Sequence, residues 1–124
     1  MTTSQKTMTT TDVANRLIEL CRSGQIFKAQ EELYSDDVSS IEPANSMLKS
    51  VKGKKALDQK GAEFASMIEE RHGGSFSDPI VSGRFFSLSM TLDATIKGKG
   101  RMTLEEICVY EVKDGKIVLE QFFF

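Results

Sequence analysis

The hydrophobic pattern of this chain changes period partway along, and that change limits the fold more than any single motif does. Before Gly73-Gly74 the apolar positions recur every three or four residues, the spacing of one helix face; after it, every long segment alternates apolar with polar, the spacing of a strand buried on one side. A chain so divided lays helices over one face of an antiparallel sheet, an α+β arrangement. With 124 residues it holds one domain. The first ten residues, MTTSQKTMTT, are polar and without pattern, so residues 1–10 are expected as a disordered tail and 11–124 as the single domain.

Val13, Leu17, Leu20 and Cys21 mark a first helix, with Thr10 or Thr11 as cap, Asp12 in the first turn and Gly24 as the stop. Ile26, Ala29 and Leu33 mark a shorter second helix that ends at Tyr34-Ser35-Asp36-Asp37. Val38 to Glu42 reads as a brief strand stopped by Pro43, and Ala44 to Ser50 as loop. Leu57, Gly61, Phe64 and Ile68 share one face of a third helix, from about Gly53 to Arg71, which Gly73-Gly74 breaks. In the second half Phe86, Leu88, Met90, Leu92, Ala94 and Ile96 fall on one side of a long strand. Lys97-Gly98-Lys99-Gly100 and Lys113-Asp114-Gly115-Lys116 read as hairpin turns, the Asp-Gly pair suiting positive φ. A curved sheet of this kind makes a cone, and helices at one end leave it an apolar interior with a single mouth.

Sixteen Lys and Arg against eighteen Asp and Glu give no positive field to collect phosphates, so nucleic acid is not an expected partner. No apolar run approaches the ~20 residues that span a bilayer, and the N-terminus lacks the apolar core of a signal peptide. A soluble, cytoplasmic protein with no membrane partner is the expectation, with no cofactor and no metal. Cys21 and Cys108 lack the spacing of a disulfide framework or zinc site and read as reduced thiols. His72 is the one histidine, which removes mechanisms that need two; it reads as a helix-end cap behind Glu69 and Glu70.

Chemistry centres on two glutamates. In the strand from Arg101 to Val112 one face carries Met102, Leu104, Glu106, Cys108 and Tyr110, and the other Arg101, Thr103, Glu105, Ile107, Val109 and Glu111. With the first face inward, Glu106 is desolvated, its pKa rises, and it can stay protonated and donate a hydrogen bond. With the strand flipped, Ile107 and Val109 are inward and Glu106 lies in water or at a subunit contact. Glu42 stands at a strand end before Pro43, where it faces either a cavity or solvent. Two carboxyls in one apolar cavity would split their pKa values, one serving as base and the other as acid.

The stretches Arg16-Leu17-Ile18-Glu19-Leu20 with Ser23-Gly24-Gln25-Ile26, Tyr34-Ser35-Asp36-Asp37 leading to Ile41-Glu42-Pro43, and Val109-Tyr110 followed by Asp114-Gly115-Lys116-Ile117 resemble the ketosteroid isomerase-like and SnoaL-like polyketide cyclase group of the nuclear transport factor two-like superfamily. The resemblance covers nearly everything after the tail and implies a cystatin-like cone. It also implies a general base at Glu42, where steroid isomerases carry Asp, and an acidic oxyanion donor at Glu106. The tyrosine that shares the isomerase oxyanion hole matches Leu17, so the chain departs there, and the Asp and His pair usual in the cyclases has no counterpart. The implied pocket is lined by Leu17, Tyr34, Phe64, Ile68, Leu88, Met90, Cys108 and Tyr110.

Three functions fit. One is a proton-transfer enzyme, an isomerase, cyclase or dehydratase, in which Glu42 removes a proton beside the carbonyl of a small apolar compound and protonated Glu106 stabilises the enolate. A second is a binder of a small apolar ligand that uses the same cone without turnover. A third is an assembly module pairing through the exposed sheet face, with Phe85, Ile107, Val109 and Phe122-Phe123-Phe124 supplying apolar area; a homodimer through that face suits all three.

Overall fold

A computed structural model describes residues 7–124. Helix α1 (Thr10–Arg22) starts one residue before the expected cap: Thr9 is the N-cap, its side chain accepting from the Asp12 N–H while Asp12 accepts from the Thr9 N–H. Thr10 is therefore helical, residues 7–9 lead into it without regular structure, and residues 1–6 of the expected tail lie outside the described residues. Helix α2 (Ile26–Leu33) passes directly into strand β1 (Tyr34–Ile41), so the polar stretch Tyr34–Asp37 is extended chain rather than a helix terminus.

Helix α3 spans Lys54–Met67, preceded by strand β2 (Val51–Lys52), and stops earlier than the periodicity suggests. Strand β3 (Ile68–Phe76) follows at once and runs through Gly73-Gly74, which correspond to no helix break. The register against the neighbouring strand slips between Arg71 and Gly73, and a Cβ on Gly74 would stand 2.8 Å from the Thr91 carbonyl oxygen. The glycines permit a bulge and a close backbone approach inside a sheet. Ile68 and His72 are accordingly strand residues; His72 Nε2 lies 2.8 Å from Thr95 Oγ1 on the adjacent strand and caps no helix.

Strands β4 (Ile80–Ser82), β5 (Phe85–Ile96), β6 (Gly100–Lys113) and β7 (Lys116–Phe123) complete the molecule. The long alternating strands pair as expected, and the turn between β6 and β7 places Asp114 at φ 51° and Gly115 at φ 75°, the paired positive values of a tight hairpin. The sheet is curved, unclosed and mixed, in the order β2-β1-β7-β6-β5-β3 with β4 on β5. Among the described residues the one parallel pairing joins β1 to β7, since the long excursion between them frees β1 from the direction a hairpin would impose.

The core lies between the helices and the concave sheet face, built on Val13, Leu17, Leu20, Leu33, Leu57, Phe86 and Ile117. Phe86 and Tyr110 stack at 4.7 Å between ring centres. On β6 the residues Cys108 and Tyr110 are buried while Ile107 stays 49% exposed, so Glu106 is on the inward face and the flipped alternative fails. The outward face leaves Phe85, Ile107 and Phe123 exposed. No helix among the described residues is long and apolar enough to cross a membrane.

Candidate functional site

Between α2, α3, the 44–50 loop and the concave sheet lies a cavity of about 590 Å³, a size usual for small-molecule sites. Of the residues expected to line it, Tyr34, Phe64, Ile68, Met90, Cys108 and Tyr110 do so, and Glu42 and Glu106 both reach it. Leu17 and Leu88 do not. Leu17 is fully buried on the inner face of α1 and Leu88 is packed within the core, so both support the cavity from behind its wall.

Glu42 follows β1 directly and is held on every side. Its Oε2 accepts from Lys60 Nζ at 2.8 Å, its Oε1 from the Ser46 hydroxyl at 2.9 Å, and its own N–H donates to Ser50 Oγ at 2.9 Å. The Glu42 and Lys60 side chains are only 6% and 7% exposed, so this is an ion pair enclosed by protein. Lys60 Nζ also donates to Ser40 Oγ at 2.7 Å and stands 5.5 Å from the centre of the Phe122 ring. The Ser40 hydroxyl passes the network on to Glu120 Oε2 at 2.6 Å, and Tyr34 donates to Glu120 Oε1 at 2.6 Å. Glu120 is buried, and that burial pushes its pKa up despite the two hydroxyl donors and nearby Lys60.

Glu106 is the contrast. It shares the cavity with this network yet has no hydrogen-bond partner among the described residues. Burial, reinforced by the Glu42 charge and opposed by Lys60, raises its pKa to about 7. A carboxyl of that kind exchanges protons near neutrality, whereas Glu42 has both oxygens occupied. The thiols are not reactive in the same sense: burial pushes Cys21 up to about 12 and drives Cys108 well above its ordinary value, so neither forms thiolate at neutral pH.

Lys60, Glu120 and Gln30 are among the site residues outside the sequence reading. Lys60 sits on the same stripe of α3 as Leu57 and Phe64, and a lysine interrupting an apolar face was the available signal. Glu120 was hidden by a bulge: Val112 pairs with Ile117 while Glu111 pairs with Leu119, so β7 carries one extra residue and both Ile117 and Glu120 turn inward. Simple alternation from Ile117 would place Glu120 outside. Gln30 of α2 is 7% exposed and lines the cavity; it falls on the stripe of Ile26, Ala29 and Leu33, four residues after the first and three before the last, so a polar residue on that apolar face was the available signal.

The SnoaL-like domain family matches residues 8–124. A solved structure from Mesorhizobium loti, described as a candidate SnoaL-like polyketide cyclase, is 36% identical over 94% of this chain and 100% of its own, with a TM-score of 0.88. A nuclear transport factor two-like protein of unknown function from Burkholderia pseudomallei (16% identity, 94% and 92% covered, TM-score 0.76) shares the fold. So does a Catenulispora acidiphila protein of ketosteroid isomerase-like fold, solved with trimethylamine (14% identity, 94% and 87% covered, TM-score 0.72). No curated protein matches the chain. A cavity walled by helices over a curved sheet, with the family match running from Met8 to the last residue, makes this chain a member of the SnoaL-like domain family.

Proposed function

We propose that the protein moves a proton beside the carbonyl group of a small apolar compound held in the cavity, with Glu106 as the proton carrier and Lys60 as the cation that stabilises the enolate oxygen. The observation that carries this reading is the division of labour in one cavity: an unpaired carboxyl with a pKa of about 7 beside a fixed Glu42–Lys60 ion pair. As carboxylate, Glu106 takes the proton from the carbon next to the carbonyl and the electron pair moves to oxygen. The ammonium of Lys60, positioned by Glu42 and Ser40, meets the developing charge. Return of the proton to a different carbon isomerises the compound, and attack of the enolate carbon on a second carbonyl closes a ring. The name polyketide cyclase borne by the Mesorhizobium protein agrees with the second outcome. This reading assigns the base differently from the sequence expectation, which gave that part to Glu42.

Hydrogen–deuterium exchange at the α-carbon of 2-tetralone, followed by NMR, tests the proposal. The wild type is expected to accelerate exchange with a rate rising as pH passes through about 7, and Glu106→Gln to lose about a hundredfold or more. Exchange that survives in Glu106→Gln and vanishes in Glu42→Gln would restore Glu42 as base; no exchange, with 2-naphthol nonetheless bound, would make the cavity a binding site only. Phe85, Ile107 and Phe123, exposed on the outer sheet face, support a homodimer through that face. Sedimentation of the wild type as dimer and of Ile107→Lys as monomer is the expected outcome.

A further inference from the structure

Phe27, Gln30 and Tyr34 form one stripe, each three or four residues from the next, and with Ile26 they line the cavity. Exposure falls along it: Phe27 50%, Gln30 7%, Tyr34 2%. The stripe runs from the rim of the cavity to its floor, and Gln30 lies one helical turn below the rim. Tyr34 at the floor spends its hydroxyl on Glu120. Gln30 has no such partner: its Oε1 is buried and unbonded among the described residues. Gln30 lines the cavity but that oxygen has almost no surface open to it, so the amide gains its hydrogen bond when the side chain swings toward a donor that enters.

We infer that Gln30 forms a second polar subsite, distinct from the Glu106 and Lys60 end, and that the ligand is a bifunctional compound: an apolar ring body with the reacting carbonyl or enol at one position and a hydroxyl, which donates to Gln30 Oε1, at another. The two subsites come from different elements, Gln30 from α2 and Glu106 from β6, so one flat ring system can meet both only by spanning from helical wall to sheet. The subsite acts on choice of ligand: a compound without the second hydroxyl leaves the buried amide oxygen unbonded in the complex and binds more weakly. The inference rests on the cavity of the proposed function, though not on its chemistry.

Equilibrium binding of three probes tests it: 2-naphthol, whose hydroxyl mimics the enol, and the 2,6- and 2,7-dihydroxynaphthalenes. The wild type is expected to bind one of the diols about tenfold or more tightly than 2-naphthol. Gln30→Met, close in shape and unable to accept strongly, is expected to abolish that preference while holding 2-naphthol affinity within about threefold and keeping or raising Tm. Absence of a diol preference in the wild type, including failure of all three probes to bind, overturns the inference whether or not the variant folds. So does a preference that survives in Gln30→Met. Failure of the proton-transfer reading shows instead as absent exchange on 2-tetralone and leaves the diol comparison untouched.

Discussion

Lys60 sets the electrostatics of the cavity. It is the partner of Glu42, the donor to Ser40 and the charge that restrains the rise at Glu106. Removing one member of an enclosed pair leaves the other charge without compensation, which costs more than deleting both. Lys60→Met is therefore expected to destabilise the fold by about 3 kcal/mol or more in urea unfolding, and the double change Lys60→Met/Glu42→Leu to recover most of that loss. At this scale the sequence was readable where a residue type clashed with its face, as with Glu106 between Leu104 and Cys108. Lys60 made the same kind of clash on α3, but a long side chain can run along an apolar face with its charge in water, so a lysine there reads as surface. Gln30, between Ile26 and Leu33 on the buried face of α2, made it too.

Elements were legible in proportion to how local their causes are. The alternation of β5 and β6 and the Asp114-Gly115 turn are written into adjacent residues, and they fold as that pattern dictates. The end of α3, the path of β3 and the inward turn of Glu120 depend on bulges against other strands, which no local period records. The start of α1 is a local matter decided by one position: Thr9 and Asp12 satisfy each other's N–H groups. Thr9→Ala removes the hydroxyl that accepts from the Asp12 N–H while its own N–H still reaches Asp12, and is expected to lower stability by about 1 kcal/mol, roughly 4 °C in Tm for a domain of this size, measured by thermal unfolding.

For the whole molecule, burying carboxyls ties stability to pH with a definite sign. Folding raises the Glu106 pKa from 4.5 to about 7, so between those values the folded chain keeps a proton that the unfolded chain has released. Stability must then fall as pH rises across that window, and Glu120, shifted the same way, adds to the slope. Glu106→Gln removes its share: the Tm of the variant relative to wild type is expected to climb from about pH 5 and level off above about pH 8, which calorimetry across the range will show.

The last of the described strands in chain order stands in the middle of the sheet, bonded on one side to β6 and on the other to β1. Residues 34–41 have no permanent neighbour on that side until 116–123 arrive, so all the strands between them are made before the sheet can join. Closing so long a loop is slow relative to forming a hairpin. The sheet thus closes only once β7 has been made, and until then the half-built cavity, with its apolar walls open, is what a chaperone would meet.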